Sequence, residues 1–266
     1  MEKYVPPFNV TEQMLNLVAL IAEKVGQFRT NYKDLESRPK LRRNNRIRSI
    51  YSSLAIEANS LSLNEVTAVI NGKLVLGSQK EIREVQNAYQ AYELLGNFNP
   101  YSMKDLKKIH NVMTKFLIDE SGIFRHGEEG VFDGDKCIFI APPARLVPQL
   151  MENLFDWLNK TKDKLHLLIV SSVFHYEFVF IHPFSDGNGR MARLWQTALL
   201  AEWRQLFQYL PLENQIQKFQ NEYYAAIAQS HKTGKSNILV EFMLKKIYEI
   251  LNEVEDSLKN ENNQFY

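Results

Sequence analysis

Between His182 and Arg193 the chain gathers an imidazole (His182), a carboxylate (Asp186), two glycines around an asparagine (Gly187, Asn188, Gly189) and two arginines three apart (Arg190, Arg193). An imidazole can change charge near neutral pH, and guanidinium forks can hold an anion. Asp-Gly-Asn-Gly reads as a turn, because these residues tolerate positive φ or bond their own backbone. Arg190 to Arg204 keeps helical periodicity without proline or glycine, so the turn opens a helix. Basic residues are disfavoured in a first helical turn, where unpaired N–H groups carry partial positive charge. Taken singly, the arginines could reach solvent or pair with surface acids. An anion held at the helix end would resolve the conflict, and His182 and Asp186 beside it point to chemistry on that anion.

The flanking sequence must position this loop. Leu165 to Ile181 is apolar almost all round, which predicts a helix at the centre of a bundle, with His175 a packed, hydrogen-bonded histidine. Pro183 closes that helix and leaves His182 at its C-terminal end, where the helix dipole favours a raised imidazole pKa. Upstream, an extended arm over residues 1–10 leads to a helix capped by Thr11. Further helices are expected over about 41–59, from Leu63 until Gly72, and over 78–95, 102–118 and 146–159. Downstream they are expected over 212–230 and 236–258, with a frayed tail over 260–266. The glycine-punctuated stretch from Gly122 to Pro143, with β-type residues Lys136 to Ile140, predicts a hairpin. A lone hairpin is marginal in water and must lie on the helical body. The fold class is therefore all-α, a helical bundle with one β-hairpin flap.

Composition sets outer bounds. The chain has 266 residues, 45% hydrophobic and 24% charged, with a net charge of +1. This balance gives no global push toward nucleic acid or a membrane surface. Cys137 is alone, so no disulfide framework or zinc knuckle is expected. Six basic residues between positions 37 and 48 are read as a solvated helix face rather than a nucleic-acid patch. The N-terminus lacks the basic start and apolar run of a signal peptide, and no apolar stretch reaches the ~18 residues of a spanning helix. The expectation is a cytoplasmic protein with no membrane partner.

His182 to Arg193 fits the pattern His-x-Phe-x-(Asp/Glu)-Gly-Asn-Gly-Arg-x-x-Arg at every defined position and so resembles the signature of the Fic family. His175, Phe178 and Ile181 ahead of it, Gly122-Ile123-Phe124-Arg125, and the Tyr223-Tyr224 pair also look like family features. The resemblance implies a protein AMP-transferase that moves AMP from ATP to a Ser, Thr or Tyr hydroxyl. It makes His182 the general base, Asp186 the ligand of Mg²⁺, and Ser185, Gly187, Asn188, Gly189 and Arg190 the phosphate cradle. Arg193 would hold the γ-phosphate, Phe184 would anchor the loop, and Tyr224 would line the adenine pocket, with His231 where an amide is common. The flap, Cys137, Ile138, Phe139 and Ile140, would add a strand of the target protein. Ser53 to Ala58 resembles the inhibitory motif (Ser/Thr)-x-x-x-Glu-(Gly/Asn), with Ala58 in the Gly/Asn position. Glu57 and Ser53 would then lie on a helix ahead of the motif, and Glu57 would pair with Arg193. The implied organisation is an N-terminal helical region (1–100) carrying the inhibitory helix, followed by a Fic core (101–259). AMP removal, transfer of another nucleotide or phosphate group, and a non-catalytic nucleotide-binding regulator remain open beside AMP transfer. The implied partners are ATP and a target protein, with self-modification and a homodimer open.

Overall fold

The computed structural model describes residues 4–31, 38–133 and 136–263. Its centre is a pair of helices, α7 (Leu167–Ile181) and α8 (Asn188–Trp203), joined by the loop that begins at His182. Leu168, Val170, Val173, Phe174 and Phe178 of α7 are fully buried, as are Met191, Leu194, Trp195 and Leu199 of α8. Each such side chain contributes about 1.5–3 kcal/mol relative to exposure, so the loop hangs from the most strongly anchored part of the fold.

Around this pair stand α1 (Glu12–Asn31), α2 (Pro39–Ile56), α3 (Leu63–Ile70), α4 (Gln79–Glu93), α5 (Met103–Thr114) and α6 (Val147–Thr161). Helices α9 (Leu212–Lys218), α10 (Gln220–Thr233) and α11 (Asn237–Asn263) follow α8. One continuous apolar core reaches from Met14 to Leu258. Local sequence fixes several starts. The Thr11 hydroxyl accepts the Met14 N–H, Ser62 and Glu65 form a capping box, and Ser78 and Ser102 cap α4 and α5. Among the described residues the strands are β1 (Gly130–Asp133) and β2 (Lys136–Ile140), antiparallel, with Gly130 opposite Ile140 and an irregularity between Val131 and Phe132. No helix is long and apolar enough to cross a membrane among the described residues.

The element order matches the sequence reading; several boundaries do not. The helix expected over 212–230 breaks at Phe219 (φ −117, ψ 37), whose ring lies 3.3 Å from the Lys246 ammonium of α11. That cation–π contact holds the break and re-aims α10. Helix α5 stops at Thr114 rather than near 118, because Phe116 takes a left-handed conformation (φ 63). Helix α8 starts two residues earlier than expected, at Asn188, and α11 continues past Leu258 to Asn263, with 264–266 outside the described residues. The basic run forms a helix face, but it is not simply solvated. Arg46 pairs with Glu93, Arg43 donates to Asn71, and the Arg42 guanidinium lies over the Tyr209 ring.

Candidate active site

The loop between α7 and α8 is held by its own side chains. Asn188 spends its amide on Phe184, accepting the Phe184 N–H at 3.0 Å and donating to its carbonyl at 2.7 Å. Its backbone N–H, not its side chain, is what remains for an anion. Phe184 is fully buried and stacks on His110 with ring centroids 3.6 Å apart. Gly187 takes φ +80, and a Cβ there would press on Thr114, so glycine is required.

His182 ends α7 in a left-handed conformation (φ 50, ψ 60), with its N–H still bonded to the Phe178 carbonyl. Its Nδ1 is buried and makes no well-aligned hydrogen bond, the Val179 carbonyl being the acceptor it faces. The expectation of a raised pKa is overturned: burial lowers it, Arg125 adds to that, and the Val179 carbonyl, Glu57 and Asp186 oppose without prevailing. The imidazole is therefore held neutral, because loss of hydration outweighs the partial charge of a helix end.

Asp186 accepts the Gly187 N–H at 2.6 Å and Arg190 Nη2 at 2.8 Å. Burial would raise its pKa, but Arg190 and the Gly187 N–H bring it below the ordinary carboxylate value. Arg190 itself is buried, and its Nε and Nη1 have no acceptor. Ser185 is partly exposed beside Glu120. No group of three His, Cys, Asp or Glu side chains gathers among the described residues. A divalent cation at Asp186 would thus take most of its oxygens from substrate and water, the coordination Mg²⁺ favours. The residues present fit that ion.

Arg193 lies within the core, 2% exposed. Its Nε donates to Ser53 Oγ at 3.0 Å, and its Nη2 donates to the Ser53 carbonyl at 2.9 Å and Glu57 Oε1 at 2.7 Å. Burial would lower the Arg193 pKa, but the charge and hydrogen bond of Glu57, together with Tyr223 and Tyr92, leave it raised. The Glu57 carboxylate also lies against Gly189 in the first turn of α8, where a Cβ would collide with it. An anion does sit at this helix end, and it is the chain's own carboxylate.

A crystal structure of a Fic family protein from Desulfovibrio desulfuricans G20 matches with a TM-score of 0.91 and 44% identity, over 96% of this chain and 77% of that one. This chain belongs to the Fic family. The Fic/DOC family model matches residues 100–200, which include the loop. Relatives named protein adenylyltransferase Fic are 33% identical over 161 residues in Nematostella vectensis and 32% identical over 163 in Culex quinquefasciatus. These matches cover 57% and 58% of this chain but 36% and 32% of the relatives, so the chain spans about a third of their length.

In this Fic protein the segment from Ser53 to Ala58 departs from a helix face. Helix α2 ends at Ile56, not near Asn59, and Glu57 is its C-cap. The Asn59 N–H bonds the Leu54 carbonyl and the Ala58 N–H bonds the Ala55 carbonyl, the two bonds of a Schellman turn. Such a turn puts its next residue in the left-handed region, and Ala58 has φ 64. This explains why Gly or Asn is usual there: alanine in that conformation costs roughly 1–2 kcal/mol. Ala58→Gly is expected to stabilise the protein by about 0.5–1 kcal/mol, after subtracting the added freedom of glycine in the unfolded chain. Urea unfolding of the two proteins checks this, and a loss of stability would mean the Ala58 methyl makes a contact that outweighs the strain.

The remaining sequence candidates are spread around this centre. Tyr224 is 46% exposed, and its hydroxyl donates to the Ile56 carbonyl at 3.4 Å, beside a second donor to the same oxygen from Gln220. Cys137, Ile138, Phe139 and Ile140 lie on β2; the side chains of the first two are outside the described set. Ile140 is exposed, while Phe139 stacks on His231 with ring centroids 4.2 Å apart. His231 also bonds the Tyr176 hydroxyl, and burial pushes its pKa to about 4. His175 is the core histidine expected, between Gln196 and Tyr223 at 2.7 Å each, with burial pushing it to about 3.

Two residues escaped the sequence reading as site parts. His110 Nδ1 accepts the Gly122 N–H, so its proton sits on Nε2 and is donated to the Asp186 carbonyl. Burial pushes it to about 4, which keeps that tautomer neutral. Nothing in the α5 pattern signals this. The other is Arg125, which stood in the family-like Gly122 to Arg125 run with no role attached to it.

Proposed function

We propose that this Fic protein is a protein adenylyltransferase that moves AMP from ATP to a target hydroxyl and is held off by its own Glu57. The carrying observation is the pair of buried arginines at the N-terminus of α8. Arg190 has two donors without acceptors, and the Arg193 fork is filled by a carboxylate from another helix. Buried guanidinium donors demand anionic oxygens, and a triphosphate supplies them. The names of the curated relatives support the same reading.

In this reading the target hydroxyl oxygen attacks the α-phosphorus, and its proton passes to the neutral His182 imidazole. The bond from the α-phosphorus to the bridging oxygen breaks, and pyrophosphate leaves. Asp186 would hold Mg²⁺, which when bound neutralises phosphate charge. Arg190 and the N–H groups of the α8 first turn would stabilise the α- and β-phosphate oxygens, and Arg193 the γ-phosphate. Tyr224 would flank the adenine, and the target backbone would pair with β2 as an added strand. With Glu57 on Arg193, the γ-phosphate loses its fork and meets a like charge, so ATP is held out of the productive pose.

The test is mass spectrometry of the Glu57→Gly protein incubated with ATP and Mg²⁺, alone and in a cell lysate. An AMP adduct on a hydroxyl side chain is expected, and it should vanish when His182→Ala is added. Labelling that survives His182→Ala would overturn the assignment of the base. Adducts from UTP or GTP in preference to ATP would overturn the nucleotide.

A further inference from the structure

Arg125 is a buried cation whose four hydrogen bonds all go to backbone carbonyls. Nε donates to His182 at 2.7 Å, Nη1 to Gly127 at 2.8 Å, and Nη2 to Pro142 at 2.6 Å and to Ile181 at 3.4 Å. Its own N–H donates to the Pro183 carbonyl at 3.0 Å. Gly127 and Pro142 are the two feet of the hairpin, since β1 begins at Gly130 and β2 ends at Ile140, and the Ala141 N–H closes on the Glu129 carbonyl between them. Ile181, His182 and Pro183 are the left-handed turn that presents the imidazole. One guanidinium therefore ties both feet of the hairpin to the carbonyl side of the His182 turn.

We propose that Arg125 is a positioning residue that fixes the hairpin and the His182 turn in one register, so that a hydroxyl carried on a strand added to β2 arrives within reach of the imidazole. The proposal rests on the adenylyltransferase reading for its purpose, not for its geometry. The chemistry asks for such a tie. The base sits on the helical bundle and the docking edge on a two-stranded ribbon, which has little rigidity of its own. A non-glycine residue in the left-handed region, as His182 is, must be held there by its surroundings. A planar fork with five donors can span three chain segments at fixed angles, which a lysine ammonium on a flexible stem cannot. Arg125 touches neither substrate nor the reacting atoms, so its effect acts through His182 and the hairpin.

The experiment uses the Glu57→Gly protein as parent and adds Arg125→Lys or Arg125→Gln. Hydrogen exchange of the hairpin amides, the NMR signals of the His182 ring, and labelling from α-labelled ATP are measured together. Both variants are expected to keep their helical circular dichroism and their helix-core protection. The hairpin amides should exchange on the order of tenfold faster, the His182 signals should move, and labelling at saturating ATP should fall on the order of a hundredfold, the scale of a misplacement near 1 Å. The ATP concentration giving half-maximal rate should hold, because Arg190 and Arg193 are untouched. The lysine variant should not rescue the rate. Unchanged hairpin exchange with an unchanged His182 environment would overturn the proposal. So would loss of protection throughout the bundle in both variants, since Arg125 would then be holding the fold as a whole. If the parent gives no labelling, the adenylyltransferase reading fails by itself, and the exchange and NMR measurements still decide whether Arg125 couples the two elements.

Discussion

Glu57→Gly should label from ATP about tenfold to a hundredfold faster than the unaltered protein, and it should be less stable without nucleotide. The activation follows from what the carboxylate does at Arg193. A charge-assisted hydrogen bond contributes about 1.5–3 kcal/mol, which is the advantage that a γ-phosphate would have to overcome to take the fork in the proposed reading. A third of the Glu57 side chain remains exposed, so screening puts the effect toward the lower end. Removing the carboxylate leaves Arg193 with Ser53 as its remaining hydrogen-bond acceptor, inside the core. Breaking a fully buried pair costs about 3–5 kcal/mol; with water able to reach the vacated side, about 1–2 kcal/mol is the expected loss. Activity and stability should therefore move in opposite directions. ATP with Mg²⁺ should raise the melting temperature of the variant more than that of the unaltered protein, because the triphosphate now supplies the missing anion. Equal labelling rates in the two proteins would refute the lock, whatever the stability shows. Glu57→Gln separates charge from shape: it keeps the volume beside Gly189 and should still release most of the inhibition.

How much of this could be read from the sequence depended on whether the information was local. The loop from His182 to Arg193 carries its own turn chemistry, and the buried helix before it is apolar on every face, so both the fold class and the loop were legible. Glu57 meets Arg193, the pairing that the resemblance implied, while the bonds from Arg193 to Ser53, one helical turn earlier, were not foreseen. What escaped was decided by packing across the chain. The left-handed turn at Ala58 needs α2 to end where Tyr224 and Gln220 meet its last carbonyl, and those residues lie on α10. The break at Phe219 needs Lys246 from α11. The pKa of His182 was assigned upward because a helix end is visible in sequence while the burial that overrides it is not. Arg125 and His110 act through backbone carbonyls and N–H groups of distant segments, and a backbone partner leaves no mark in a residue pattern.

Acid should unfold this protein earlier than its carboxylates alone would predict. Burial pushes His110 to about 4, His175 to about 3 and His231 to about 4, against an ordinary value of 6.5, and also lowers His166 and His182. A histidine whose folded pKa is depressed binds fewer protons in the folded chain than in the unfolded one. Its contribution is fully present above pH 6.5 and is lost as pH falls from there toward the folded value. Each such group loses about 1.4 kcal/mol per pH unit within that window. Glu177 works in the opposite direction: burial raises it to about 7, so acidification between pH 7 and its ordinary value of 4.5 relieves a buried charge. Three strongly shifted histidines against one carboxyl leave a net loss on the order of 3 kcal/mol between pH 6.5 and pH 5, a large share of the ~5–15 kcal/mol of a typical domain. Asp186, held below 3.8, adds its loss only at still lower pH. Urea midpoints at pH 7.5, 6 and 5 measure the effect, and a flat series would mean that these histidines accept protons without leaving their sites. The same burial that makes the fold acid-sensitive holds His182 neutral. In the Glu57→Gly protein the acid limb of the labelling rate should therefore lie below pH 6.5, so a fall in rate above that value would have to come from a group other than His182.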